Sequence, residues 1–233
     1  MSLPGKSPSP PPSAAPRRRR VLLVEDHAVV REALAEMLER SGEWIVCGQT
    51  HNGGEACELA TSLAAEVILL DFLLNGHDGL ELVRALSSLA SKPAVLVLSV
   101  LAEPEIGERV IRAGARGFLN KRASRTELLH AMREVSAGQI FVSTETFLRI
   151  AAHRLKLKRA AEGPSPVDRL SNREFEVMCL LGSRLAISEI GELLKLSPRT
   201  VERHRENIKN KLNLHLASEV VQWARAWCVG RKL

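Results

Sequence analysis

Four apolar residues followed by a carboxylate, Val67-Ile-Leu-Leu-Asp71, leave few folds open. A continuous apolar run this short reads as a strand buried on both faces, the kind that parallel sheets contain. The pattern recurs three times. Val21-Leu-Leu-Val24 runs into Glu25-Asp26, Ala94-Val-Leu-Val-Leu98 into Ser99, and Gly117-Phe-Leu119 into Asn120-Lys121. In such sheets ligands bind at the carboxyl ends of the strands. Four strands would therefore bring three carboxylates, a hydroxyl and an ammonium to one edge.

The stretches between the runs carry helical spacing. Ala28 to Glu39 places Val29, Val30, Ala33, Leu34, Met37 and Leu38 on a helical repeat, and Trp44-Ile-Val-Cys47 follows as a second strand. Gly54 to Leu63 predicts a second helix, Asp78 an N-cap for a third through Leu86, and Glu105 to Ala113 a fourth stopped by Gly114. Ser124 caps a fifth, Arg125 to Ala137, ended by Gly138. Five strands alternating with five helices predict a doubly wound α/β domain with a five-stranded parallel sheet over residues 21–138.

Beyond it the pattern is helical only. Residues 144–160 read as a helix within a linker of residues 139–166, which the Gly163-Pro-Ser-Pro166 break closes. Residues 167–233 then predict a second, all-α domain. Ser171 or Asn172 caps a helix holding Phe175, Met178 and Leu181; Ser188 caps a short one with Ile190, Leu193 and Leu194. Ser197-Pro198 opens a third, running to about Leu212, and Ala217 to Trp227 forms the last. Two short helices separated by about three residues, the second sharply capped, match a helix-turn-helix.

Charge divides the chain the same way. Residues 21–153 carry 18 acidic and 12 basic side chains, a balance of −6; residues 154–233 carry 16 basic and 9 acidic, a balance of +7. The basic module is the candidate for a polyanion. Residues 1–20 are Pro/Ser-rich, end in Arg17-Arg18-Arg19-Arg20 and predict a disordered basic tail. The arginine run reads as a solvated linker end or a nucleic-acid contact. No apolar run approaches the roughly 20 residues of a membrane helix, and the opening stretch is not a secretory signal. Four scattered cysteines predict reduced thiols in a cytoplasmic protein.

A carboxylate at a strand end can be a metal ligand, a nucleophile or a general base. Glu25, Asp26 and Asp71 crowded together would repel one another, and a hard divalent cation resolves that; Mg²⁺ suits a few carboxylates plus waters. With the metal bound, Asp71 can attack a phosphoryl group, Lys121 can balance its charge and Ser99 can donate a hydrogen bond to it. On a 100° wheel the helix from Pro198 turns Val201, Ile208 and Leu212 to the core and Arg199, Arg203, Glu206 and Asn210 outward, flanked by Asn207, Lys209 and Lys211. Such a face suits the major groove of double-stranded DNA, with Thr200 and the flanking lysines near phosphates.

Residues 21–138 resemble the receiver domain of bacterial response regulators of the NarL/FixJ type. The resemblance rests on Glu25-Asp26-His27, on Leu70-Asp71 followed by Gly76-His77-Asp78-Gly79, on Ser99 28 residues after Asp71, and on Gly117 to Lys121, the lysine 50 residues after Asp71. It implies that Asp71 is the phosphoacceptor for a sensor histidine kinase. It also implies that Asp26, Asp71 and the Leu73 backbone carbonyl hold Mg²⁺, that Glu25 acts weakly or through water, and that Phe118 is a switch aromatic. Asn75 stands where Pro is usual, Arg122 where Asp often follows the lysine, and Phe118 where Tyr is more usual.

Residues 167–228 are similar to the LuxR-type DNA-binding domain through Leu170-Ser-Asn-Arg-Glu174, Ile190-Gly-Glu-Leu-Leu194, Leu196 to His204 and Lys211-Leu212. That resemblance implies base-facing roles for Glu202, Arg203 and Glu206. Gly191 replaces a usual Ala, at a cost in helix stability. The reading is a non-enzymatic transcriptional regulator, phosphorylated on Asp71 and binding DNA as a homodimer. Two alternatives are a phosphorylation-independent regulator and an aspartyl-phosphate phosphatase. Phosphatases of the haloacid-dehalogenase kind need a second Asp where Leu73 stands.

Overall fold

The computed structural model describes residues 17–74, 76–101, 103–148, 150–151 and 166–228. The Pro/Ser-rich residues 1–16, Asn75, and residues 152–165 of the expected linker helix and break lie outside the described residues.

Five parallel strands form one sheet in the order β2-β1-β3-β4-β5: β1 (Arg19–Val24), β2 (Trp44–Thr50), β3 (Val67–Asp71), β4 (Ala94–Ser99) and β5 (Gly117–Asn120). Every residue of β3 is buried, as a continuous apolar run in the middle of a parallel sheet requires. Val21 to Val24 pair with Val67 to Leu70, and Val67 to Asp71 pair with Ala94 to Leu98, so the strand ends stay level.

Five helices connect and cover the strands: α1 (Ala28–Arg40), α2 (Gly53–Ser62), α3 (Gly79–Ser87), α4 (Glu103–Ala113) and α5 (Arg125–Ser136). Alternate strand residues serve the two faces. Leu22, Val24, Ile68, Leu70, Val95, Val97 and Phe118 pack with Ala56 and Ala60 of α2, Leu80 and Val83 of α3, and Ile106 and Val110 of α4. Val21, Leu23, Val67, Leu69, Leu96, Leu98 and Leu119 pack with α1 and α5. Right-handed crossovers dictate this split, because the chain steps one way from β1 to β2 and the other way thereafter. Asn52, Asp78 and Ser124 accept from first-turn amides of α2, α3 and α5.

The sheet begins two residues before the expected domain boundary. Arg19 and Arg20 are the first residues of β1, where the sequence reading places a disordered tail. Arg20 Nε donates to the Leu63 carbonyl at 2.8 Å and Arg19 Nη1 to the Ser136 carbonyl. These carbonyls lie just past α2 and at the last residue of α5, so the arginines serve helix ends that favour positive charge.

After a 3₁₀ turn at Pro166–Arg169 come four helices: α6 (Asn172–Gly182), α7 (Ile187–Leu194), α8 (Pro198–Lys211) and α9 (Ala217–Cys228). Phe175, Met178, Ile190, Leu194, Val201, Ile208, Val220 and Ala224 are buried among them. Ser171 and Glu174 form a reciprocal capping box at the start of α6. The expected Ser188 cap is not observed. Helix α7 starts at Ile187 with Ala186 as N-cap, because the Glu189 side chain takes the Ala186 amide at 2.6 Å. Between α7 and α8, Lys195 adopts a left-handed conformation at φ 47°, and the Leu196 carbonyl lies 2.7 Å from where a Cβ on Gly191 would stand. The glycine thus permits a close turn.

The second domain rests on α3 and α4 of the first. Asn172 Nδ2 donates to Asp78 Oδ1 at 3.1 Å. Arg109 Nη2 donates to the Val167 carbonyl at 2.6 Å, and its guanidinium lies 3.6 Å from the centre of the Phe175 ring. Among the described residues no helix is long and apolar enough to cross a membrane.

Candidate functional site

The level strand ends bring Glu25, Asp26, Asp71, Ser99 and Lys121 into one pocket. Glu25, Asp71 and Ser99 are buried, and the Asp26 side chain is 6% exposed. Backbone bonds hold the loops: Glu25 N donates to Thr50 O at 3.0 Å, Phe72 N to Leu98 O at 2.8 Å and Lys121 N to Ser99 O at 2.8 Å. Lys121 Nζ lies 2.7 Å from Glu25 Oε2 and 2.9 Å from Asp71 Oδ2. Leu73 is buried in the loop after β3, and its amide donates to Asp71 Oδ1 at 3.2 Å.

Burial, with Glu25 adding to it, pushes the Asp71 carboxyl up to about 6 against the pull of Lys121. For Lys121, burial works against the charge. The neighbouring Asp71 and Glu25 outweigh it and raise the ammonium above its ordinary value. The lysine is therefore a fixed cation and Asp71 a carboxylate in a dry, partly compensated setting.

Asp26 is different. Its two oxygens are buried, and among the described residues no donor hydrogen-bonds either of them. His27 Nδ1 sits 2.9 Å from Asp26 Oδ1 without such a bond, and 3.1 Å from Glu25 Oε1, to which it is hydrogen-bonded. Ligand atoms of Glu25, Asp26, His27 and Asp71 lie within 4.8 Å of one another. A buried carboxylate without a donor beside two others is a fitting place for a divalent cation.

Two further contacts, by Ser99 and Asn120, close the pocket. Ser99 Oγ accepts from Leu101 N at 3.1 Å, which leaves its own proton to donate. Asn120, to which the sequence reading gave no role of its own, donates through Nδ2 to the Leu101 carbonyl at 3.1 Å and ties the end of β5 to the loop after β4. Its only sequence signal is its place at a strand end beside Lys121. Phe118 is buried on the α2–α4 side of the sheet with Leu101, Ile106 and Val110.

On α8, Ser197 caps through Thr200 N at 3.1 Å with Pro198 in the first turn. Val201 and Ile208 are buried and Leu212 half-buried, as the wheel expects. Arg199, Arg203, Glu206 and Asn210 are exposed; Glu202, Asn207 and Lys209 are half-buried along the flanks. Three of the flanking positions have other work. The Thr200 hydroxyl meets Ser197 Oγ at 2.7 Å within the cap. Glu206 pairs with Lys209 at 2.5 Å. Lys211, though exposed, reaches Glu174 at 2.6 Å beside the capping box of α6. Arg205, absent from the sequence reading, pairs with Glu202 at 2.6 Å.

Comparison with known proteins agrees with this two-module arrangement. The family model for the response regulator receiver domain matches residues 21–133, and that for bacterial regulatory proteins of the luxR family matches residues 168–224. The transcriptional regulatory protein LiaR of Bacillus subtilis is 32% identical over 204 residues, 88% of this chain and 95% of its own. The response regulator GacA of Pseudomonas aeruginosa is 35% identical over 196 residues, 83% of this chain and 89% of its own. A solved two-component response regulator of the LuxR family from Aurantimonas sp. SI85-9A1 gives a TM-score of 0.54 at 26% identity, covering 60% of this chain and 99% of that one. With both modules matched in the same order, the chain belongs to the NarL/FixJ-type bacterial response regulators, transcriptional regulators that join a receiver domain to a LuxR-type DNA-binding domain.

Proposed function

We propose that Asp71 accepts a phosphoryl group from a sensor histidine kinase and that the modified chain binds double-stranded DNA as a homodimer in the cytoplasm. The observation that carries this is the pocket itself: a buried Asp71 held by the Leu73 amide and by Lys121, beside an Asp26 with no hydrogen-bond donor among the described residues. In this reading Asp26, Asp71 and the Leu73 carbonyl hold Mg²⁺, with Glu25 acting through water. The metal supplies charge neutralisation to the transferring group. Asp71 Oδ attacks phosphorus and the donor's leaving group departs. Lys121 then balances the phosphoryl charge and the Ser99 hydroxyl donates to one of its oxygens. Phe118 repacks as Ser99 moves.

The receiver in this proposal runs from the start of β1 to residue 138, the linker from 139 to 166, and the DNA-binding domain from 167 to 233. Arg199, Arg203, Glu206 and Asn210 face base edges, with Glu202 beside them. Thr200, Asn207, Lys209 and Lys211 lie toward phosphates, the last after leaving Glu174.

The test is incubation with a small phosphodonor and Mg²⁺, read by intact mass and by DNA binding, for the wild type and Asp71→Asn. Wild-type protein should gain one phosphoryl group and bind DNA more tightly; the variant should do neither. Equal DNA binding by both proteins, indifferent to the donor, would remove the phosphorylation step and leave the DNA-binding half.

A further inference from the structure

Asp78 and Arg109 supply no group to the acidic pocket, yet both hold the second domain. Asp78 Oδ1 takes the Glu81 amide of its own helix at 3.0 Å and the Asn172 side chain at the start of α6 at 3.1 Å. Arg109, from α4, is half-buried, bonded to the Val167 carbonyl and stacked on the Phe175 ring, with the Asp168 carboxylate stabilising its charge. Val167, Leu170 and Phe175 are each no more than 5% exposed and belong to the apolar cluster that contains Leu80, Ile106 and Val110 of the receiver. A guanidinium desolvated over a ring and satisfied by a carbonyl is a directional contact that no other side chain reproduces.

The contact uses α6 and the turn before it, not α8. With the domains together, Arg199, Arg203, Glu206 and Asn210 remain exposed, Glu206 paired with Lys209 of the same helix. We propose that Arg109 and Asp78 form a latch that fixes the second domain by α6 while leaving the outer face of α8 open. Opening it lets two such domains pair on neighbouring DNA half-sites, and unmasks nothing. The reasoning about DNA rests on the reading of α8 given above; the latch does not. Asp78 ends the loop that leaves β3 at Asp71, and the Leu73 amide anchors that loop's beginning to the same carboxylate. Asp78 stands seven positions after Asp71 in the chain.

The test uses the full-length, unphosphorylated protein. Arg109→Ala, and Arg109→Lys as the variant that keeps charge and stem, are compared with wild type by hydrogen exchange over α3 and α6 and by X-ray scattering in solution. Both variants should raise exchange at the start of α3 and α6 by about tenfold and enlarge the radius of gyration. Unchanged exchange and radius in both would overturn the latch. Binding to a mixed-sequence duplex of about 15 base pairs, room for one domain, is then measured at low salt. Affinities of wild type and Arg109→Ala should agree within about twofold, since α8 is already open. A rise of tenfold or more in the variant would mean that docking masks α8 and would overturn the open-face claim. Binding by neither protein, with exchange raised, would sink the reading of α8 and leave the latch standing.

Discussion

Glu176 offers a quantitative test of how the two domains meet. It is fully buried on α6. Arg173 Nη1 donates to its Oε2 at 2.7 Å while Nη2 of the same arginine donates to the Leu194 carbonyl at 2.5 Å. The first turn of α3 faces it with the Gly79 amide and the Asp78 carboxylate. Burial pushes its carboxyl up to about 7, further than Arg173 pulls it down, with Asp78 adding to the rise. In the unfolded chain it returns to 4.5. The folded state therefore binds the proton more tightly, so this group lowers stability as pH rises from 4.5 toward 7, and the loss levels off above that. At about 1.4 kcal/mol per pH unit the cost is under about 1 kcal/mol at pH 5 and about 3 kcal/mol at pH 8. Glu176→Gln keeps the shape without the charge. In urea denaturation followed by the fluorescence of Trp44, Trp223 and Trp227, the variant should match wild type to within about 1 kcal/mol at pH 5 and exceed it by up to about 3 kcal/mol at pH 8. A difference that does not change with pH would refute the reasoning.

Lys121→Ala leaves Glu25 and Asp71 buried without their cation. It should lower receiver stability by about 3 kcal/mol at pH 8, read by thermal melting, with part of the loss recovered near pH 5 as Asp71 takes up a proton. Millimolar Mg²⁺ should raise the melting temperature of wild type but not of Asp26→Asn; an equal rise in both would remove Asp26 from the metal site. Gly79→Ala should cost about 1–3 kcal/mol, because the new Cβ would lie 2.3 Å from the Phe72 carbonyl oxygen; an unchanged denaturation midpoint would show that this turn relaxes freely. Ser171→Ala, which removes the hydroxyl half of the capping box of α6, should cost about 1 kcal/mol in the same denaturation, and no loss would mean that the residue-171 amide and Lys211 suffice to hold Glu174.

The sheet and its polar edge were legible because the signal is local. An apolar run that ends in Asp71 declares both a doubly buried strand and its end, and four such runs must stop at one edge when all are parallel. The outward and inward faces of α8 were legible for the same reason, since helical period decides them. Contacts between distant segments were not. Asn172 meets Asp78 and Arg109 meets Val167 across separations that leave no mark on spacing. Lys211, placed by sequence on the DNA side, turns to Glu174 on another helix. The Ser188 cap failed for a different reason: Ala186 has no capping side chain, but Glu189 reaches back to its amide and starts the helix two residues earlier than a Ser188 cap would. Arg19 and Arg20 read as tail because a charge run looks solvated, whereas carbonyls at the ends of α5 and α2, far along the chain, claim both.

The segment that leaves α5 does not go straight to the second domain. Phe141 N donates to the Arg116 carbonyl at 2.9 Å and Phe118 N to the Phe141 carbonyl at 3.0 Å, so residue 141 lies along the outer side of β5 as a short added rung. That rung fills part of a row of backbone groups otherwise ready to pair with another chain, and it guards one margin of the sheet against strand addition. It also fixes the start of the segment after α5 to the strand that carries Phe118 and leads to Lys121.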